Sequence, residues 1–296
     1  MDHNLEMKFL VTGSTGLIGS QVVKELIKQK HVVYSCYNES FPQDGIQTKL
    51  DLVNQNDIKD TLNEIQPDIV IHLGAMTNVD LCETEKNFTM TINEMATETL
   101  AKESAKQKAF FVYVSTDYVF DGITGMKKEN DFTNPLGFYG KSKLAGETTL
   151  NKLASNWCIA RTSTPFGIHP IKKSFPLWVK ENLESKKKFP VVTDQFTSPT
   201  YVPNFSKMLI EVATRQISGI IHLAGRTRIS RYALAEMIAD KLNLDKTLII
   251  PSRIDEMNWK AQRPKDSSLD VSLAVEILEE KPQKIEDSLD LFLSEL

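Results

Sequence analysis

Residues 8–19 read Lys8-Phe9-Leu10-Val11-Thr12-Gly13-Ser14-Thr15-Gly16-Leu17-Ile18-Gly19. Lys8-Phe9-Leu10-Val11-Thr12 reads as a buried strand. Directly behind it the glycines stand in the spacing Gly-x-x-Gly-x-x-Gly. Gly13 can make the tight turn, Gly16 lets a diphosphate come close to the backbone, and Gly19 permits tight packing of helix on strand. A helix opening at Leu17 offers unbonded N–H groups and a partial positive charge to phosphates. Glycines in a turn can be incidental. Here they join the first strand to the first helix, the context that dinucleotide binding requires.

The same alternation continues outward. Residues 17–29 have helical spacing, 31–37 and 47–52 are β-type runs, and Ile58, Leu62 and Ile65 form a helical stripe ending before Pro67. Residues 68–73, Asp68-Ile69-Val70-Ile71-His72-Leu73, are apolar enough for burial on both faces of a sheet. A long helix is expected over 87–107, a strand over 110–115, a helix over 139–154 and a strand over 157–161. This order predicts an α/β fold, a doubly wound parallel sheet of the Rossmann type with right-handed crossovers. After residue 163 six prolines, from Pro165 to Pro203, break the pattern into short pieces. Helices remain legible at 174–185, 204–214 and 230–243, and 219–224 reads as a strand returning to the sheet. The expected division is a dinucleotide-binding domain over 7–165, joined by that returning strand, and a smaller C-terminal substrate lobe over 166–296.

Composition narrows the function classes. The chain has 296 residues and a net charge of -4, with Lys and Arg dispersed, so it carries no electrostatic footprint for nucleic acid. Cys36, Cys82 and Cys158 are widely spaced and odd in number, which fits a reducing, cytoplasmic setting rather than a disulfide framework or a zinc site. No apolar run approaches the ~20 residues of a membrane span. No signal-peptide pattern precedes the first strand, and residues 1–6 read as polar and loose. His3, His31, His72, His169 and His222 show no metal-ligand spacing; His72 and His222 read as core histidines. Trp157, Trp178 and Trp259 read as packing residues.

Further positions fit a cofactor cleft. Asp51-Leu52 closes the third strand, where a carboxylate can accept from an adenine amine; it can equally cap the next segment. Gly74-Ala75 follows the fourth strand, where small residues admit a cofactor or simply make a turn. The second strand ends Ser35-Cys36-Tyr37-Asn38, with neither the acid that selects NAD nor an Arg for a 2′-phosphate. The reading leans to NADP(H), with NAD(H) admitted. Downstream, Tyr139 and Lys143 share one face of the expected helix. A phenol titrates near pH ~10, and an adjacent ammonium favours its ionised form. Tyr139 is therefore a candidate general acid/base whose pKa Lys143 is expected to lower, although Tyr-x-x-x-Lys also occurs on ordinary solvated helices.

With the Gly-rich turn, Ser115-Thr116, Tyr139 and Lys143 in this order, the chain resembles the extended short-chain dehydrogenase/reductases. Two stretches narrow the resemblance to the dTDP-4-dehydrorhamnose reductase family. They are Ser115-Thr116-Asp117-Tyr118-Val119-Phe120-Asp121-Gly122 and Tyr139-Gly140-Lys141-Ser142-Lys143-Leu144-Ala145-Gly146-Glu147. Asp194-Gln195, Ser198-Pro199-Thr200, Arg263-Pro264 and Leu269-Asp270 belong to the same likeness, which runs from about Met7 to the C-terminal helices. It implies reduction of the C4 carbonyl of a nucleotide-linked 4-keto-6-deoxy sugar by NADPH. Tyr139 would protonate the carbonyl oxygen, Thr116 would donate a second hydrogen bond to it, and Lys143 would hold the nicotinamide ribose. The implied cofactor surface includes Gly13, Thr15, Gly16, Leu17 and Ile18. It continues through Asp51, Leu52, Leu73, Gly74 and Ala75, and closes with Ser115, Tyr139 and Lys143. Thr116, Tyr118, Gln195, Thr200 and Arg263 would face the nucleotide sugar, Arg263 at its diphosphate. From sequence alone Arg263 is as readily a surface salt bridge. Extended members pair through the helices at 87–107 and 139–154, which leaves a homodimer open.

One departure concerns the substrate. The family pattern Arg-Thr-Ser-Trp-x-Tyr-Gly here reads Arg161-Thr162-Ser163-Thr164-Pro165-Phe166-Gly167, so an aromatic wall against the sugar is missing. A dehydratase would need a second carboxylate where Tyr118 stands. A nucleotide-sugar epimerase shares Thr, Tyr and Lys and stays open. So does a non-catalytic NADP-binding regulatory subunit resembling the methionine adenosyltransferase β subunit, which shares the run Ala261-Gln262-Arg263-Pro264.

Overall fold

The computed structural model describes residues 6–153 and 156–296. Most of the loose segment expected at 1–6, together with His3 and Ala154, lies outside them. Strand β1 (Lys8–Thr12) leads through the glycine turn into α1 (Leu17–Lys28), which buries Val22, Val23 and Leu26 on the sheet. Strands β2 (Val32–Tyr37) and β3 (Ile46–Lys49) follow. Helix α2 (Gln55–Ile65) starts at Asn54, whose side chain accepts from the N–H groups of Asn56 and Asp57, and ends at a left-handed Gln66 before Pro67. Next come β4 (Ile69–His72), α3 (Val79–Thr84) and α4 (Lys86–Met90). A π-helical turn over Thr91–Met95 joins α4 to α5 (Ala96–Lys106). The helix expected unbroken over 87–107 is thus widened in its middle. The widening turns Asn93 inward, where it is fully buried.

Strand β5 (Phe110–Thr116) is buried throughout and precedes α6 (Phe138–Leu150) and β6 (Trp157–Thr162). The remainder is more broken: β7 (Pro165–Phe166), α7 (Phe175–Glu184), β8 (Phe189–Val192), β9 (Phe196–Thr197) and β10 (Thr200–Tyr201). Then follow α8 (Val202–Thr214), β11 (Gly219–His222), β12 (Ile229–Ser230) and α9 (Arg231–Leu242). The chain closes with β13 (Ile249–Ser252), α10 (Ser272–Ile277) and α11 (Ile285–Ser294).

Among the described residues, seven strands form one sheet in the order β11-β6-β5-β4-β1-β2-β3, every neighbouring pair parallel. The expected doubly wound sheet is present, and 219–222 does return to its edge beside β6. The strand order reverses between β1 and β4, which opens a crevice at their carboxyl ends. Phe9, Val11, Ile71 and Val112 fill one face with α1 and α8; Leu10, Val70, Phe111 and Ile159 fill the other with α2 and α5. A separate core gathers Phe166, Val179, Phe189, Ile238, Leu289 and Phe292 from α7, α9, α11 and the short strands. No described helix is long and apolar enough to cross a membrane.

One buried ion pair fastens α6 to the sheet. Arg161 on β6 donates to Glu147 on α6 through Nε at 2.9 Å and Nη2 at 2.7 Å, and Ser115 Oγ on β5 donates to the same carboxylate at 2.6 Å. Removing one partner strands the other charge without water, at a cost of about 3–5 kcal/mol. Glu147→Ala should lower the urea-unfolding free energy by about that amount, and Glu147→Leu with Arg161→Met should recover much of it. A loss in the double variant equal to the sum of the losses in Glu147→Leu and Arg161→Met alone would show that the pair is not coupled.

Candidate functional site

The cleft begins where the glycine turn meets the loop after β4. Gly13 adopts φ 65°, and a Cβ there would lie 2.7 Å from the Gly74 nitrogen. A Cβ on Gly19 would lie 2.1 Å from the Gly13 carbonyl, so α1 packs on the turn as closely as only glycine allows. The α1 N-cap, Gly16, brings no side-chain acceptor, which leaves the first-turn N–H groups of Leu17 and Ile18 for an anion. Beyond the turn lies a cavity of about 350 Å³, lined by Thr15, Tyr37, Asn38, Asp51, Leu52 and Ala75 among others. A cradle of bare backbone donors opening into a cavity of this kind fits the diphosphate and adenosine of a dinucleotide.

The remaining cofactor candidates take varied positions. Gly13 and Gly74 line the cavity, whereas the Ile18 and Leu73 side chains pack on the core and can offer only backbone. Asp51 lines the cavity, and its carboxylate accepts from Val53 N at 2.9 Å, the capping role foreseen as its alternative. Beside Asn38, Glu39 also lines the cavity, so an acid absent from the strand itself arrives one residue later. Beneath the turn, Thr12 Oγ1 donates to His72 Nδ1 at 2.6 Å and accepts from Gly74 N at 3.0 Å. His72 Nε2 donates to Thr97 Oγ1 at 3.0 Å, and Thr97 donates to the Asn93 carbonyl at 2.9 Å. The chain is satisfied with a neutral imidazole, and burial lowers the His72 pKa to about 3.

The Tyr139 side chain comes from the first turn of α6. Phe138 N in that turn donates to Glu83 Oε1 at 2.6 Å. Gly140 lets the helix press against the turn after β5, since a Cβ there would sit 2.2 Å from the Tyr118 carbonyl. Tyr139 meets the Tyr118 ring edge-on at 6.0 Å and reaches the Thr116 hydroxyl. Thr116 donates to Asp117 Oδ1 at 2.9 Å, and Ser163 donates to Asp117 Oδ2 at 2.7 Å. Lys143 is buried with its ammonium 4.1 Å from the Tyr113 ring centroid. The Ser115 hydroxyl is turned to Glu147.

Tyr139 was expected to titrate low beside Lys143. Instead burial raises it, with Asp117 adding to the rise and the Thr116 hydrogen bond opposing it. Lys143 is the group that shifts down, to about 7, because burial disfavours its charge while Glu147 opposes the fall. At neutral pH Tyr139 is therefore a protonated phenol, suited to giving a proton.

On the other side of the cleft, Gln195 is buried beside the Tyr118 phenol, and its Nε2 donates to the Pro264 carbonyl at 3.5 Å. The Thr200 hydroxyl is satisfied inside the protein: it donates to Ser163 O at 2.7 Å and accepts from Gly225 N at 3.0 Å. Arg263 takes the ion-pair reading, with Nη2 3.0 Å from Asp80 Oδ1, and lies over Trp259, 5.3 Å from the ring centroid. Thr164, where the family pattern has Trp, adopts φ 43°. Asn93, His169 and Arg231 hold positions here that the sequence reading did not assign to them. Asn93 receives Met76 N at 2.8 Å and donates to Ser142 Oγ at 2.9 Å, while Ser142 donates to the Tyr139 carbonyl at 2.8 Å. Its signal was a poor helix former inside a long helix. His169 Nε2 donates to the Thr15 carbonyl at 3.0 Å, latching the second core to the glycine turn. Arg231, at the start of α9, joins Tyr118 and Asp117, and no local pattern marks it.

The family model described as RmlD substrate binding domain matches residues 7–296. The probable low-salt glycan biosynthesis reductase Agl14 of Haloferax volcanii is 33% identical over 271 residues, covering 90% of each chain. Methionine adenosyltransferase 2 subunit beta of Danio rerio is 31% identical over 273 residues, 90% of this chain and 83% of that one. The crystal structure of dTDP-4-dehydrorhamnose reductase from Bacillus anthracis in complex with NADP superposes with TM-score 0.89 at 28% identity, covering 99% of this chain and 100% of that one.

The lowered Lys143 pKa has a consequence for stability. An unfolded lysine titrates near 10.5 and the buried one near 7, so the unfolded chain binds more protons between those values. Stability must therefore rise with pH across that window. Chemical denaturation of the wild type and of Lys143→Met, from pH 6 to pH 10, should show the wild type gaining on the variant as pH climbs. A constant difference would contradict the assignment.

Proposed function

The chain belongs to the RmlD substrate binding domain family, and on that premise we propose that it reduces the C4 carbonyl of a nucleotide-linked 4-keto-6-deoxy sugar. The observation that carries the reading is geometric: Tyr139 stands edge-on to Tyr118 and beside Thr116 at the carboxyl end of β5, with the buried Lys143 one helical turn behind. Bound NADPH would supply the hydride. The N–H groups of Leu17 and Ile18 and the open face of Gly16 would hold its diphosphate, Asp51 and Leu52 its adenine end, and Lys143 its nicotinamide ribose. Tyr139 gives its phenolic proton to the carbonyl oxygen as negative charge gathers there. The Thr116 hydroxyl turns from Asp117 to donate to the same oxygen. Both contacts strengthen toward the transition state, so they lower the barrier rather than merely bind. In the same reading residues 7–165, with the strand at 219–222, hold the cofactor. Residues 166–296 hold the sugar nucleotide around the second core, although α8 and α10 of that span pack on the sheet.

A second reading is favoured by the likeness to the methionine adenosyltransferase subunit: a regulatory subunit that binds NADP without turnover. The two part at one residue. With a panel of 4-keto sugar nucleotides, wild type should oxidise NADPH. Tyr139→Phe should lose about 10²–10⁴ in kcat with NADP affinity kept, as removal of a general acid does. Full activity in Tyr139→Phe would overturn the mechanism. Tight NADP binding with no oxidation by wild type on any member of the panel would favour the regulatory subunit.

A further inference from the structure

The cleft contains two guanidiniums in very different situations. Arg263 is already neutralised: Asp80 holds Nη2 at 3.0 Å, the Ala261 carbonyl accepts from Nη1 at 3.3 Å, and Asp80 also receives Ala261 N at 2.9 Å. Arg231 has none of this. Its Nε is buried without a hydrogen-bond partner, and no carboxylate lies within ion-pair distance of it among the described residues. Asp117, Tyr118 and Arg263 act on it through charge at longer range, without an ion pair. The guanidinium carbon sits 4.7 Å from the centroid of the Phe175 ring, which stacks in turn on Trp178. Its own backbone N–H donates to the Gln195 carbonyl at 2.9 Å, which fixes Arg231 beside Gln195, a neighbour of the Tyr118 phenol.

A guanidinium with an unbonded buried Nε carries a desolvation cost that an anion with matching acceptors would offset. Stacking on Phe175 holds the planar fork in place, so little side-chain freedom is lost when that anion arrives. Asp117 acts on Arg231 from beyond ion-pair distance, which leaves room for an anion from outside the chain on the Tyr118–Gln195 wall.

We infer that Arg231 receives the diphosphate of the nucleotide-linked substrate, the role that Arg263, held by Asp80, is not placed to fill. This inference deepens the nucleotide-sugar reading and rests on it. It makes Arg231 a substrate-binding residue that reads phosphate charge, while Tyr118 and Gln195 beside it line the same wall.

Binding measurements separate this claim from turnover. Isothermal titration of the NADP-saturated protein with dTDP, UDP, GDP, CDP and ADP should find at least one nucleoside diphosphate that binds, and its free nucleoside should bind far more weakly. Arg231→Met should weaken that diphosphate by about tenfold or more, the value of a charge-assisted hydrogen bond, with NADP affinity unchanged as the control for folding. Arg231→Lys should recover part of the loss, and Arg263→Met should cost less than Arg231→Met. The inference is overturned if Arg231→Met binds within about twofold of wild type, if Arg263→Met carries the larger loss, or if no nucleoside diphosphate binds the wild type. Should the diphosphate bind through Arg231 while no 4-keto sugar nucleotide is reduced, the inference stands and the reductase reading fails.

Discussion

Everything proposed for the site depends on where α6 sits, and α6 is held by the buried carboxylate of Glu147. That one group takes two bonds from Arg161 on β6 and one from Ser115 on β5. Thr116 follows Ser115 directly, and Tyr139 and Lys143 lie toward the other end of the same helix. The ion pair therefore fixes the donor pair against the sheet that carries the cofactor cleft. Asn93 does the same at the near end, linking Met76 of the cleft to Ser142 below Tyr139. Catalytic groups need sub-ångström placement, and buried, fully bonded polar networks supply it better than apolar packing alone.

The electrostatics of the site follow from its dryness. Burial keeps the Tyr139 phenol protonated, draws Lys143 toward neutrality and raises the Asp117 carboxyl. These shifts share one cause, desolvation, and each disfavours charge. A substrate bringing phosphate charge and a cofactor bringing ribose hydroxyls would supply the partners that this arrangement lacks. Arg231 is the clearest instance, a cation stacked on an aromatic ring with its Nε unbonded.

What was legible in the sequence was what local chemistry dictates. Glycine spacing and apolar runs located β1 and the start of α1 to the residue, because turn geometry and burial are written in neighbouring positions. The third strand ended at Lys49 rather than Leu52, because Asp51 leaves the ladder for a turn that it caps itself. The π-helical turn was invisible, since apolar spacing does not distinguish a helix with one extra residue from a regular one. The sign of the Tyr139 shift was also out of reach: helical spacing brings Lys143 near, but only the folded interior determines how much water both groups lose. Arg231 gained its meaning from Phe175 and Asp117, both remote in sequence.

The central claim is hydride delivery to a sugar carbon, and isotope transfer tests it most directly. The protein would be incubated with NADPH deuterated at C4 of the nicotinamide, in each of the two stereochemical forms, and a nucleotide-linked 4-keto-6-deoxy sugar. Mass spectrometry and proton NMR would then locate the label in the product. The account predicts deuterium at C4 of the sugar from one form and none from the other. A 4-hydroxy product without label from either form, or cofactor that stays bound and unconsumed, would contradict it.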